Sequence, residues 1–156
     1  MEEQKKKVAG SRAAVVVSEE SAEQAVDEFL AYYEIDLEGE EEATRAQLLR
    51  AKRRMVKGVM LGRLEFKLET DKRGNVEQVV YQNLAKPLGQ GLAQFRYREI
   101  SGKAKTAMKG TSSEDMSGRM QLLLGALSGT SASIVAEMTG VDYSLAESVC
   151  LLFLSV

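Results

Sequence analysis

RLEFKLETDKRGNVEQVVYQNL, residues 63–84, decides the fold. Leu64, Phe66 and Leu68 alternate with Arg63, Glu65, Lys67 and Glu69. A period of two belongs to a strand with one face in the core and one in water. Asp71-Lys72-Arg73-Gly74-Asn75 reads as a turn, with Gly74 free to take positive φ. Val76, Val79, Val80, Tyr81 and Leu84 mark the return strand. A lone hairpin is marginal in water. This one therefore needs a third strand, a second copy, or helices laid against it.

Towards the N-terminus the apolar period lengthens to about 3.6. Ser18 is a candidate cap, followed by Glu19 and Glu20 where a helix N-terminus favours acids. Ala22, Val26, Phe29, Leu30 and Tyr33 make one helical face, ending near Glu34. An acidic link then leads to a second helix, expected from about Glu40 to Met60. Its core side is predicted as Ala43, Ala46, Leu49, Met55, Val56 and Met60. Acids gather at its start and bases (Arg50, Lys52, Arg53, Arg54, Lys57) towards its end, complementing the helix dipole. The two helices form an antiparallel hairpin over 19–61. Residues 1–18 are expected to be a flexible arm, in which Val15-Val16-Val17 is a weak strand signal.

Towards the C-terminus, Pro87 closes the strand region and Leu88 to Leu92 is a connector. Phe95-Arg96-Tyr97-Arg98 alternates like a third strand, and Ile100, Ala104, Ala107 and Met108 suggest a helix over 100–110. Three apolar helical segments follow. Met120, Leu123, Leu124 and Leu127 run to Gly129; Ile134, Val135 and Met138 run to Gly140; Asp142 opens a segment with Leu145, Val149, Leu152 and Phe153. The fold class is α+β, mainly helical, with one β-hairpin and up to three short antiparallel strands. Residues 62–156 are expected to form one domain with the 19–61 hairpin.

Composition narrows the function. The chain has 156 residues and a net charge of −2, which argues against a generally basic nucleic-acid binder. Histidine is absent, so the commonest general acid/base and metal ligand are both missing. The one cysteine, Cys150, sits between Val149 and Leu151, reads as a core residue, and has no internal disulfide partner. That fits a reducing cytoplasm. No run approaches the roughly 18 apolar residues of a membrane span, and Ala13 to Val17 is too short for a signal-peptide core.

Several stretches imitate chemistry. Glu38, Glu40, Glu41 and Glu42 lack the spacing of a calcium loop and read as a solvated helix start. Gly89-Gln90-Gly91 lacks the lysine and third glycine of a phosphate loop. The hydroxyls from Ser128 to Ser133 have no base to activate them and suit a helix-to-helix turn, with Thr130 or Ser131 as cap. No catalytic, cofactor or metal residue is assigned. One basic segment carries more weight: Arg96, Arg98, Lys103, Lys105 and Lys109 interleave with Phe95 and Tyr97, a pattern that can stack on single-stranded nucleic acid. It supports a second reading, a nucleic-acid-binding accessory protein using residues 95–109. Seven methionines suit an adaptable binding surface as well as a core.

The order of parts resembles the tail assembly chaperones of long-tailed bacteriophages and prophages. The likeness runs from the hairpin through Pro87 to RMQLLLGALSGT (119–130), IVAEMTGVDY (134–143) and the closing apolar helix. It implies a non-enzymatic cytoplasmic protein of the host bacterium that binds the tail tape measure protein during tail morphogenesis. It also implies contact with the tail tube protein, self-association, and a longer frameshifted product. On this reading Met120, Leu123, Leu127, Met138, Leu145, Val149, Leu152 and Phe153 are the candidate partner-binding residues, divided with the core.

Overall fold

The computed structural model describes residues 14–99 and 116–154. The elements in order are α1 (Glu19–Tyr32), α2 (Glu42–Met60), β1 (Leu64–Thr70), β2 (Val76–Asn83), β3 (Gln94–Tyr97), α3 (Met116–Ser128), α4 (Ala132–Val135) and α5 (Gly140–Phe153), with one 3-10 turn at Gly89–Gly91. The α+β, mainly helical class is as expected, and the sheet has three antiparallel strands in the order β1-β2-β3. The first 13 residues and the expected 100–110 helix lie outside the described residues.

α1 begins as the sequence reads. The Ser18 side chain accepts from the Ser21 amide at 3.2 Å, and Glu19 and Glu20 occupy the first turn. Ala22, Val26, Phe29 and Leu30 are its buried residues. It stops at Glu34, where the sequence places its end, though without a glycine. Glu34 takes φ +55°, which lets the Ile35 amide reach back to Leu30 O at 2.9 Å. That six-to-one bond normally relies on glycine. α2 ends the same way with the expected residue type: Gly62 has φ +71° and the Arg63 amide bonds Gly58 O at 2.8 Å.

The buried face of α2 differs from the prediction. Leu48, Ala51, Met55, Val56, Gly58 and Val59 are buried, whereas Ala43, Ala46 and Leu49 are exposed. Adjacent Leu48 and Leu49 can each head a helical stripe. The stripe of Leu48, Ala51 and Met55 wins because it continues into Gly58 and Val59, which pack against α5. A Cβ at Gly58 would lie 3.0 Å from Leu145 Cδ1 and 3.2 Å from Leu64 Cγ, so the missing side chain admits that contact. Lys52 Nζ reaches Asp27 Oδ1 at 2.8 Å and ties α2 to α1.

The hairpin pairs Phe66 with Val80 and Leu64 with Gln82. Asp71 builds its turn: Oδ1 accepts from the Arg73 amide at 2.8 Å and the Asn75 amide at 2.9 Å. Gly74 holds φ +85° there. β3 adds to β2 with Val80 opposite Tyr97 and Gln82 opposite Phe95. Leu64 enters the core as expected, and Phe95 and Tyr97 are buried there with it. Phe66 is half-buried and Leu68 is 66% exposed, contrary to the expected uniform inward face. The strand outruns the helices beneath it at that end.

One cluster of buried residues draws on both parts of the chain, from Ala22 in α1 through Met55 in α2 and Tyr97 in β3 to Phe153 in α5. Phe29 lies at its centre, with ring centroids 5.2 Å from Phe66 and 5.4 Å from Phe153. The sheet is locked to α5 by a buried polar chain. Tyr97 donates its hydroxyl to Gln82 Oε1 at 2.6 Å, and Gln82 Nε2 donates to Asp142 O at 2.8 Å. The Asp142 carboxylate, 2% exposed as a residue, accepts from the Ala85 amide at 2.8 Å and the Lys86 amide at 2.9 Å. It also sits in the first turn of α5, where negative charge opposes the helix dipole.

Gly125 allows α3 to turn back. A Cβ there would meet Thr130 O at 2.9 Å, too close for any side chain without a backbone shift. Gly129 takes φ +69° and the Thr130 amide bonds Gly125 O at 3.1 Å. Ser131 then caps α4, accepting from the Ile134 amide at 3.3 Å.

Asp142→Ala leaves the Ala85 and Lys86 amides without their acceptor. It is expected to cost about 2 kcal/mol, with Asp142→Asn losing less. Urea denaturation measures this; an unchanged midpoint for Asp142→Ala would show that the carboxylate does not clamp the sheet.

Candidate partner-binding trough

The residues expected to carry a partner face lie elsewhere in the fold. Leu123, Leu127, Met138, Leu145, Val149, Leu152 and Phe153 are each at most 7% exposed, and Met120 is partly buried against the same core. In the protomer they face its own core, and the reason is geometric. α5 is apolar on most of its circumference and packs on α2 and α3, so its side chains are consumed by the protomer's own core. Exposed apolar residues of this region, Leu122 at 41%, Ile134 at 37% and Val141 at 56%, lie on separate elements.

The basic segment also has a different fate. Phe95 and Tyr97 are buried, so neither ring is available to stack on a base. Arg96 is held by Glu69, with Nε at 3.0 Å and Nη2 at 2.6 Å. Arg98 lies 3.3 Å from Glu77 and 3.6 Å from Glu69. Arg96 also sits over the Tyr81 ring, with its guanidinium carbon 5.8 Å from the centroid, and Lys67 Nζ lies 4.8 Å from it. Arg96 and Arg98 thus balance the sheet's own carboxylates. Lys103, Lys105 and Lys109 lie outside the described residues.

An apolar trough opens on the other face of the sheet, between α1 and β1. Its volume is about 540 Å³. Ala25, Glu28 and Tyr32 of α1 form one wall; Leu64, Glu65, Phe66 and Leu68 of β1 form the floor and far rim. Val16 and Val17 close one end, beside Val59 and Gly62. Val16 and Leu68 are each 66% exposed and Tyr32 is 43% exposed. Glu28 and Glu65 are the charged residues of this lining, and Glu65 is ion-paired with Lys67 at 3.8 Å. Gln78 also lines it, and its buried Oε1 is the one such side-chain oxygen among the described residues with no hydrogen-bond partner.

Local bonds hold each wall. The amides of Val16 and Val17 both point to Met60 O, at 2.8 and 3.3 Å, and so hold the arm against a helix-terminal carbonyl. α1 is held over the sheet by its last two tyrosines. Tyr32 donates to Val76 O at 2.8 Å and Tyr33 to Gln78 O at 2.6 Å. These two carbonyls face the β3 side of β2. β3 has already left, because the Arg98 amide bonds Leu127 O at 2.9 Å. The tyrosine hydroxyls thus finish a ladder that the third strand abandons. Burial, reinforced by Glu99, raises the Tyr33 hydroxyl's pKa, so it stays a donor.

Part of this site is legible in the sequence. The Val15-Val16-Val17 run stands out, though as a strand signal, and the period-two pattern expects Leu68 to face inward. Tyr32 carried no signal, because its role depends on where β3 ends. Among the described residues no group of three acidic, cysteine or histidine side chains is placed to hold a metal ion, and no helix is long and apolar enough to cross a membrane. Set against protein-family models, characterised proteins and solved structures, the chain matches none.

Two outcomes follow from the local electrostatics. Burial, with Glu147 adding to it, pushes the Cys150 thiol up to about 12. A thiol reagent at mildly alkaline pH should leave native protein unmodified and label it stoichiometrically once unfolded; rapid native labelling would contradict the buried placement. The hydrogen bonds from Arg96 hold the Glu69 carboxyl below its ordinary range. A depressed folded pKa gives stability that is present above the unfolded value and lost as pH falls through the folded one. Glu69→Gln should therefore flatten the loss of urea midpoint on acidification below about pH 4.5; an unchanged acid limb would show the pair to be idle.

Proposed function

We propose that this protein is a non-enzymatic assembly chaperone of a bacteriophage or prophage tail, acting in the host cytoplasm on the tape measure protein. The order of sheet, proline-closed connector and closing helices supports this reading. The observation that carries it is the trough between α1 and β1. A tape measure protein is a very long helix whose apolar stripe invites aggregation. An open apolar groove of this kind takes the face of an amphipathic helix by hydrophobic burial, with anchors at i, i+3 and i+4. Glu28 at the rim favours lysine or arginine beside that stripe. The C-terminal helices serve as the scaffold that positions α1 and β1, and the partner surface is moved from them to the trough. Exposed apolar residues number few in the trough, so each copy binds modestly. Modest affinity suits a protein that tube subunits must displace.

The test is co-expression with the tape measure protein encoded in the same tail gene cluster. Wild-type protein should keep that partner soluble and co-purify with it. Leu68→Asp and Val16→Asp, at exposed positions that leave the core intact, should each reduce the recovered partner about tenfold, a loss on the scale of one buried aliphatic side chain. Arg98→Ala, on the opposite face, should not. Equal recovery with all variants, or none with wild type, overturns the assignment.

A further inference from the structure

α2 carries more positive charge on its outer face than the protomer uses. Arg50, Arg53, Arg54 and Lys57 recur at i, i+3, i+4 and i+7, and all four are exposed. That spacing sets them in one ridge along the helix. After Glu42 the helix has no acid. Among the described residues none of the four is paired with a carboxylate, whereas Arg45 and Lys52 of the same helix reach Glu38 and Asp27. The helix dipole accounts for little of the ridge. Its effect is confined to the last turn, where Lys57 alone lies. Arg50 stands three and four residues before Arg53 and Arg54, and Lys57 three and four after Arg54 and Arg53. Like charges so spaced weaken a helix. A ridge that costs stability, with no match in the protomer, breaks a local rule in the way functional surfaces do.

The surroundings of the ridge select its partner. Beside it, between α1 and α2, runs a groove of about 470 Å³. Leu49, Val56 and Met60 are its apolar lining, with Arg53 and Lys57 on the α2 side and Glu19 and Glu23 on the α1 side. Leu49 is 37% exposed and Met60 is partly exposed. These two lie about three turns apart, roughly 16 Å along the axis, which suits a helical segment. A phosphate chain gains nothing from an apolar floor, and Glu19 and Glu23 repel it. So does the stretch before the ridge, residues 18–42, which holds acids and no base. An acidic amphipathic helix meets neither conflict. Its apolar stripe covers the floor, and carboxylates on one flank match cations about 5–6 Å apart.

We infer that the groove between α1 and α2 docks an amphipathic helix with an acidic flank. The apolar stripe of that helix lies on Leu49 and Met60. Its glutamates or aspartates pair with Arg50, Arg53 and Lys57, with Arg54 behind them. A lysine on its other flank faces Glu19 and Glu23. This surface is separate from the trough, which uses Ala25, Glu28 and Tyr32 on another side of α1. It does not require the tail-assembly reading.

Fluorescence anisotropy with two labelled helical peptides tests it. Each is about 18 residues long, enough to outspan the floor, and carries the same leucine stripe. The first has glutamate along one flank and lysine along the other; the second has lysine along both. Wild-type protein should bind the first, with affinity falling as salt rises, and should not bind the second. Arg50→Glu should weaken that binding about tenfold, by reversing one contact and engaging two neighbouring cations. The same variant should raise the urea midpoint, because a glutamate at position 50 pairs with Arg53 and Arg54 on its own helix. A cation with a purely structural role would lower the midpoint when replaced, and that result overturns the inference. So does failure to bind the first peptide, equal binding of both, tighter binding of a labelled oligonucleotide, or an affinity unmoved by Arg50→Glu.

Discussion

The Asp142 carboxylate is the constraint on which the arrangement depends. It accepts two amides just after β2, while its own carbonyl accepts Gln82, which in turn accepts Tyr97. One residue at the head of α5 thus fixes the end of β2, the position of β3 and the start of the last helix. Buried polar groups are costly unless satisfied, and satisfied networks specify a unique packing. Hydrophobic burial alone would let α5 slide along α2. The polar chain sets where it stops.

From that anchor the rest follows outward. α5 in register places Leu145 against Gly58 and Phe153 against Phe29. Phe29 stacks on Phe66, and α1 comes to lie across the sheet. β3 departs after Tyr97 to bond α3, which frees two β2 carbonyls for Tyr32 and Tyr33. The gap left between α1 and the rim of β1 is the trough. The trough is a consequence of strands and helices of unequal reach, and the apolar C-terminal helices hold α1 and the sheet in place.

Much of the fold was legible because its signals are local. The hairpin is written in a period-two pattern and an Asp-x-x-Gly-Asn turn. Ser18, Gly62, Gly129 and Ser131 mark helix ends by their side chains or by the lack of one. What failed was whatever depends on distant partners. Leu48 and Leu49 are equivalent in sequence, and only the packing of α5 chooses between them. Asp142 was read as a helix opener, and nothing near it tells that it clamps residues 85 and 86. The candidate site suffered most. An apolar helical stripe looks the same whether it meets its own core or a partner, so Leu123 to Phe153 were assigned in part to a surface they do not reach.

Hydrogen exchange with and without the tape measure protein bears most directly on the central claim. The account predicts that binding slows exchange in residues 14–32 and along β1, while α3 and α5 change little because their side chains already face the core. Protection concentrated in residues 120–153, with α1 and β1 unaltered, would contradict it.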